Sequence, residues 1–421
     1  MQLITITGGH PLQGVLRPAA AINSVLPLMA ASLLCGGPCR FRAAPRLSDV
    51  DTSLALLCAV GAEAVRSGED LCTRPVPDGA LRGDIPPRLA GAMRSSVFYL
   101  APLLLRVGRV GLPLPGGCRL GPRPIDIHLA GLAAMGAQVE LEADRIVLTR
   151  RGPLHSTDFS LRLPSVGATL TLLMAACGAA GTTVLRGAAC EPEITDLADF
   201  LRCCGACIEG DGTPVITVRG GTALGGTEFT PLPDRIAAAT YAAAAACAGG
   251  RVRVEGCRPV LAGSFLAFLE HTGCGVQREE DAFTVVRCPQ EPLRGGQDLC
   301  TGGWPGFATD TAPLAAAVLL TADAPSVICD ALFPNRFGCA AGFAAMGASV
   351  RVEGRRLFVE GGAGLHGARA AAPDLRGGAA LLLAALGAEG QTTVCDTGHI
   401  RRGYADLPAD LRRLGADCRV L

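Results

Sequence analysis

Six stretches of this chain are apolar nearly all the way round a helix: INSVLPLMAASLL, MRSSVFYLAPLLL, VGATLTLLMAACG, IAAATYAAAAACA, TAPLAAAVLLTA and GGAALLLAALGA. Each runs about three to four turns, and a helix apolar on every face belongs in an interior. Each is followed by a glycine and a short strand pattern such as TTVLRG or RVRVEG. A second, amphipathic helix comes next and ends at a glycine: Gly61, Gly136, Gly205, Gly273, Gly347 or Gly415. Glycine there suits a left-handed helix cap. Alternating segments such as VELEADRIVLTR then read as hairpin strands. The cap glycines recur roughly every 68 to 75 residues, which marks a repeated structural unit. Six units predict an α/β protein of two domains with three units each.

The starts of the six apolar helices are less uniform than their bodies. Asn23, Arg94, Ser165, Asp234 with Arg235, Asp310, and Asp374 with Arg376 all fall at or just before them. Helix N-termini present free N–H groups and the positive end of the helix dipole, so they attract anions. Capping of the helix is the other reading for Ser165, Asp234 and Asp310. Arg94 and Arg376 cannot cap an N-terminus, and they favour a polar site.

Composition narrows the class. Basic and acidic residues balance at 38 each, so no nucleic-acid partner is implied. The chain has no lysine, and arginine suits bidentate binding of phosphate and carboxylate. Nineteen cysteines are an odd number scattered through apolar stretches, which predicts free thiols in a reducing compartment rather than a disulfide scaffold. The pair in Cys204-Gly-Ala-Cys207 has no second pair near it in sequence, so it does not establish a metal site. The MQLITITGGH start lacks the pattern of a secretory signal, and cytoplasmic residence is expected. The charge-free stretch from Leu163 to Leu185 reads as a buried helix and a strand, not a membrane span. One further cysteine stands apart. Cys118, in LPLPGGCRLGPRP, sits among glycines, prolines and arginines, where a thiol is reachable and its thiolate is favoured.

Along essentially its whole length the chain resembles the UDP-N-acetylglucosamine enolpyruvyltransferases (1-carboxyvinyltransferases) of the EPSP synthase superfamily. The motifs include GGHPLQG, RLSDVDTSLALL, AMRSSVFYLAPLL, LPSVGATLTLLMAA, EPEITDLADFL, LPDRI, WPGFATD, LFPNRFG, PDLRGGAALLLAAL and HIRRGYADLPADLRRLGA. The most diagnostic is LPGGCRLGPRPIDIHLAGLAAMGA. The resemblance implies an inside-out α/β barrel, helices inside and sheets outside, in two domains of three βαβαββ units. One domain would span 22–231 and carry the Cys118 loop; the other would combine 1–21 with 232–421, and the active site would lie in the cleft between them. The implied reaction transfers enolpyruvyl from phosphoenolpyruvate to the 3′-hydroxyl of UDP-N-acetylglucosamine, releasing phosphate, as the first committed step of peptidoglycan precursor synthesis. These two small molecules are the implied substrates, with no cofactor, no metal, no nucleic acid and no membrane.

Carried over position by position, the resemblance makes Cys118 the proton donor and Asp310 the base. It assigns Asn23, Arg123 and Arg402 to phosphoenolpyruvate. Arg94, Arg123, Pro124, Ile125, Asp126, Ile127, Ser165, Val166, Asp310 and Leu332 would hold the UDP-sugar. Arg336, Asp374 and Arg376 match other cleft positions, and His128 reads as a packing or capping residue. The chain also departs from the family pattern. Ile22 occupies the place of a phosphoenolpyruvate-binding lysine, Leu163 that of a basic residue, and Ala237 and Arg401 those of acids. A diverged, non-catalytic UDP-sugar-binding protein is therefore the alternative reading, and an EPSP synthase-type transferase a weaker one.

Overall fold

A computed structural model describes residues 2–116, 120, 121 and 124–421. The chain divides into two compact units. One is described over 20–116 and 124–232; the other takes in 2–19 and 233–421, together with Leu120 and Gly121.

In the unit 20–232 the inner helices are Ile22–Ala31, Leu100–Val107 and Val166–Gly178. The second of these is entered through the 3-10 turn Arg94–Tyr99. Three open sheets cover them. The first orders its strands Glu228–Phe229, Cys39–Phe41, Asp70–Arg74, Glu63–Ser67. The third orders Cys207–Glu209, Val215–Gly220, Gly181–Arg186, Asp158–Ser160. Each has one parallel pair and antiparallel pairs for the rest; in the third sheet the parallel pair is a strand–helix–strand crossover through Val166–Gly178, while in the first the parallel strand Glu228–Phe229 comes from the end of the unit. The middle sheet has three strands, Arg109–Pro113, Arg145–Thr149 and Gln138–Leu141. Its first strand shrinks to a single parallel bridge between Asp84 and Gly111. Pro86 and Pro87 follow at once, and neither has the N–H a longer ladder needs.

In the unit 233–421 the inner helices are Arg235–Ala248, Ala312–Leu319 and Leu375–Leu386, which pack on one another. Every residue from Ile236 to Ala248 is buried, and so is every residue of Ala312–Leu319. Alanine dominates both, and its small side chain lets helix backbones approach closely at no side-chain entropy cost. The three sheets here all have four strands, and among the described residues no sheet of either unit closes on itself. The N-terminal strand Gln2–Thr7 lies between Gln391–Asp396 and Asp417–Val420, antiparallel to both, with Gln2 opposite Asp396 and Thr7 opposite Gln391. Leu12–Leu16 runs parallel to Gly250–Glu255. The start of the chain thus completes two sheets of the unit built from its second half.

All six cap glycines adopt positive φ: 92° at Gly61, 99° at Gly136, 104° at Gly205, 96° at Gly273, 90° at Gly347 and 98° at Gly415. At that conformation a Cβ meets its own backbone, so the recurrence in sequence records a backbone requirement. The described cysteines are all free. Among the described residues no helix is long and apolar enough to cross a membrane; Leu163–Leu185 contains the end of a loop, the helix Val166–Gly178 and most of the strand Gly181–Arg186.

Gly205 separates strain from crowding, because a Cβ there would meet nothing within 4 Å. Gly205→Ala is expected to destabilise by about 1–2 kcal/mol through φ alone. Gly91→Ala, in the helix Pro87–Ala92 and equally open, is expected to be neutral or stabilising by about 0.5–1 kcal/mol. Urea unfolding of the two variants beside the native chain checks both signs.

Candidate functional site

In the unit 233–421 the candidate residues Asp310, Arg336 and Arg376 form one charged cluster. Arg336 is among the most deeply buried side chains, 1% exposed. Its Nη2 donates to Asp310 Oδ1 at 3.0 Å and its Nε to Thr309 Oγ1 at 3.0 Å, with Asp330 Oδ2 3.6 Å from Nε. Its guanidinium also stands over the Phe333 ring, 5.0 Å from the centroid. Arg376 comes within 3.5 Å of Asp310 Oδ2 and stacks on Tyr404 at 5.2 Å. Burial works against the Arg376 cation, and the attraction of Tyr404, Asp310 and Asp234 outweighs it, so its pKa is raised. Arg376 Nε and Nη1 are buried and unbonded among the described residues. Asp310 therefore sits between two buried guanidiniums, with about a quarter of its side chain open.

The two readings of the helix starts separate here. Ser165 accepts from Ala168 N at 3.3 Å and caps its helix. Asp234 accepts from Ile236 N and Ala237 N at 2.8 and 2.9 Å, and Asp374 from Arg376 N and Gly377 N at 2.9 and 3.0 Å. Capping accounts for these three. For Asp310 the capping reading is corrected: no side chain caps the turn Thr309–Thr311 or the helix Ala312–Leu319, and the Asp310 carboxylate faces arginines instead. Asp374 acts indirectly, by fixing the first turn from which Arg376 projects. Leu332 is exposed beside Asp330, whose Oδ1 accepts from Leu332 N and Phe333 N at 2.8 and 2.7 Å. Arg402 ends the turn Ile400–Arg402, which packs on the helix carrying Arg376.

Asp330 and Tyr404 were not among the residues expected from the sequence. Asp330 is fully buried, bonds Thr309 Oγ1 and holds both the Leu332 turn and Arg336. An acid three residues before the FPN turn was its one sequence signal.

In the unit 20–232 the candidates gather at three inner-helix starts. Ile22 begins its helix and is 6% exposed, within the hydrophobic core, while Asn23 beside it is exposed. Arg94 opens the 3-10 turn that packs against both the first and third inner helices, at whose start Ser165 and Val166 lie. Pro124 is exposed, Ile125 and Ile127 are buried, and Asp126 opens the helix Asp126–Ala134 with its carboxylate 2.6 Å from Arg162 Nη2. The Arg162 pairing, more than any other influence, holds the Asp126 pKa below the ordinary carboxylate value. His128 is 6% exposed, and neither ring nitrogen finds a partner among the described residues. Burial, helped by the Arg94 charge, pushes its pKa down to about 4, so the imidazole is neutral at pH 7. Asp196, in the EPEITDLADFL motif, is buried and accepts from Leu232 N at 3.1 Å; burial raises its pKa to about 6. Cys118 and Arg123 lie outside the described residues.

The family model for EPSP synthase (3-phosphoshikimate 1-carboxyvinyltransferase) matches residues 6–411. A curated relative from Symbiobacterium thermophilum, named UDP-N-acetylglucosamine 1-carboxyvinyltransferase 1, is 42% identical over 98% of this chain and 93% of its own length. Similar relatives of that name come from Oleidesulfovibrio alaskensis, 40% identical over 100% of this chain and 99% of its own, and Staphylococcus aureus, 38% over 99% of each. Among solved structures, the enolpyruvyl transferase NikO from Streptomyces tendae superposes with a TM-score of 0.88 at 28% identity, covering 100% of this chain and 98% of its own. EPSP synthase from Acinetobacter baumannii gives 0.73 at 19% identity, covering 100% of each chain, which shows the shared fold.

The neutral buried His128 ties stability to pH. Its folded pKa of about 4 lies below the ordinary value of 6.5, so the unfolded chain takes up its proton first as pH falls. The contribution is whole above about pH 6.5 and is lost towards pH 4, about 2–3 kcal/mol by pH 4.5. In urea unfolding at pH 7.5 and 4.5, the native chain is expected to lose that much more stability than His128→Leu. Equal losses would mean that His128 stays hydrated. With the family model, the superposed fold and relatives matched over nearly the whole chain in agreement, the chain belongs to the EPSP synthase family and, within it, to the UDP-N-acetylglucosamine 1-carboxyvinyltransferases.

Proposed function

We propose that this chain transfers the enolpyruvyl group of phosphoenolpyruvate to the 3′-hydroxyl of UDP-N-acetylglucosamine and releases phosphate, in the synthesis of peptidoglycan precursors. The observation that carries the reading is about 40% identity, over the whole chain, to relatives bearing that name. It favours the transferase over a non-catalytic UDP-sugar-binding protein. The inside-out barrel belongs to the same reading, supported by three buried helices under three sheets in each unit. Cytoplasmic residence follows from the substrates.

Asp310 is the base in this proposal. Its carboxylate accepts the proton of the sugar hydroxyl as that oxygen bonds to the central carbon of phosphoenolpyruvate. Arg336 on one carboxylate oxygen and Arg376 on the other fix its orientation. The Cys118 thiol delivers a proton to the methylene carbon, completing a tetrahedral ketal. Loss of a methyl proton and cleavage of the carbon–oxygen bond to phosphate then restore the double bond. Arg123 and Arg402, with Asn23, would bind phosphoenolpyruvate, while Arg94, Pro124–Ile127, Ser165, Val166 and Leu332 would line the UDP-sugar subsite. Guanidinium groups can engage phosphate and carboxylate in bidentate fashion, which suits a lysine-free chain.

Phosphate release from the two substrates tests the proposal. The native chain is expected to turn over; Asp310→Asn and Cys118→Ala are each expected to lose at least about 100-fold in kcat while still binding the nucleotide sugar. Ile22→Lys adds a cation where the family carries one and is expected to raise kcat/KM for phosphoenolpyruvate roughly 10- to 100-fold, the worth of a charged hydrogen bond. Nucleotide-sugar binding without turnover by the native chain would overturn the catalytic reading.

A further inference from the structure

We propose that Cys35, Cys39 and Cys204, inside the unit 20–232, form a binding site for a thiophilic d10 metal ion, zinc(II) or copper(I). The three residues are 1%, 2% and 4% exposed, and their sulfurs all lie within 4.8 Å of one another. Cys35 Sγ is 3.6 Å from Cys204 Sγ. A metal–thiolate bond of about 2.3 Å sets the sulfurs roughly 4.0 Å apart around a planar three-coordinate copper(I) and about 3.8 Å apart around a tetrahedral zinc(II) whose fourth ligand is water. The thiols thus stand within about 1 Å of the spacing such an ion demands. They are the one group of three metal-capable side chains so placed among the described residues.

High cysteine content does not by itself produce this arrangement, since the three come from separate elements. Cys35 follows the 3-10 turn Ser32–Leu34 at the end of the first inner helix; Cys39 begins the strand Cys39–Phe41; Cys204 caps the C-terminus of the helix Pro192–Cys203. One segment ties all three down. Gly36 N donates to Leu224 O at 2.8 Å, Gly225 N to Cys204 O at 2.7 Å, and Arg40 N to Thr227 O at 2.9 Å. A site held by backbone bonds on every side is pre-organised, so little ordering is needed on binding. Soft thiolates select zinc(II) and copper(I), and a ligand set of sulfur alone excludes magnesium and calcium. On binding, metal–sulfur bonds replace S–H bonds and up to three protons pass to solvent. The lone Cys204–Cys207 spacing pointed elsewhere: Cys207 is exposed, and the partners of Cys204 are 165 and 169 residues away in sequence (204 − 39 and 204 − 35).

The test uses the reduced full chain without oxygen, titrated separately with Zn2+ and Cu+ against a chromophoric chelator. At least one equivalent of one ion is expected to bind the native chain and to be absent in Cys39→Ala and Cys204→Ala. Free ion at a hundred times its Kd is expected to raise the melting midpoint of the native chain by about 5 °C and leave those variants unmoved. Which ion gives the response identifies the site as zinc or copper. Site-resolved alkylation of the native chain in mild urea keeps the test independent of variant folding. Bound ion is expected to slow modification of Cys35, Cys39 and Cys204 about tenfold and to leave Cys247, in the unit 233–421, unchanged. Stoichiometry equal in native and variant chains, no selective protection, or a Cys35–Cys204 disulfide in the reduced chain would overturn the proposal.

Discussion

Most of every inner helix of this protein is buried, and that constraint decides where its chemistry can be. A helix such as Ala312–Leu319, with every residue buried, has no lateral face on which to carry a polar group. Its backbone satisfies itself except in the first and last turns. Polar residues therefore concentrate at helix starts, where unbonded N–H groups require partners. Ser165, Asp234 and Asp374 meet that requirement as caps, and they leave Val166, Arg235 and Arg376, one or two residues on, fixed in the first turn. The fold thus presents candidate binding groups as a by-product of ending buried helices.

Charge in the unit 233–421 follows the same economy. Two buried guanidiniums, Arg336 and Arg376, face two acids, Asp310 and Asp330. Removing one partner from such a set leaves a buried charge uncompensated, at about 3–5 kcal/mol. Asp330 is closed off, and its oxygens are committed to Leu332 N, Phe333 N and Thr309. Asp310 is partly open. The closed acid holds the arginine and the arginine holds the open acid, so the reactive candidate has the rigid support a positioned base needs.

Much of this was legible in the sequence because it is periodic. The apolar helices, the alternating hairpins and the six glycines repeat, and the glycines repeat because each occupies a left-handed cap that other residues enter at a cost. What was not legible depends on pairing over long separations. Asp330 gains its role only when Arg336 and Thr309 are folded against it, and Tyr404 only under Arg376. The cysteine trio joins positions whose nearest sequence neighbours suggested nothing. The reduced middle sheet was hidden for the opposite reason: a repeat pattern predicts a strand before Pro86 and Pro87, and local proline chemistry overrides it.

Ile22 brings the two levels together. The side chain is buried in the hydrophobic core of its unit, so its contribution there is apolar contact, favourable by about 1.5–3 kcal/mol for a fully buried isoleucine. An ammonium at that position would have to reach out of the core for water or an anion. Isoleucine thus strengthens the start of the first inner helix and places no charge beside Asn23 in sequence. In a chain without lysine, the permanently charged cations on offer to an anion are guanidiniums, which carry planar forks rather than a compact charge. Forks bind a carboxylate or phosphate well only when the anion lies in their plane. Buried acids such as Asp330 and helix caps such as Asp374 set the positions of Arg336 and Arg376, and through those two arginines the orientation of the Asp310 carboxylate.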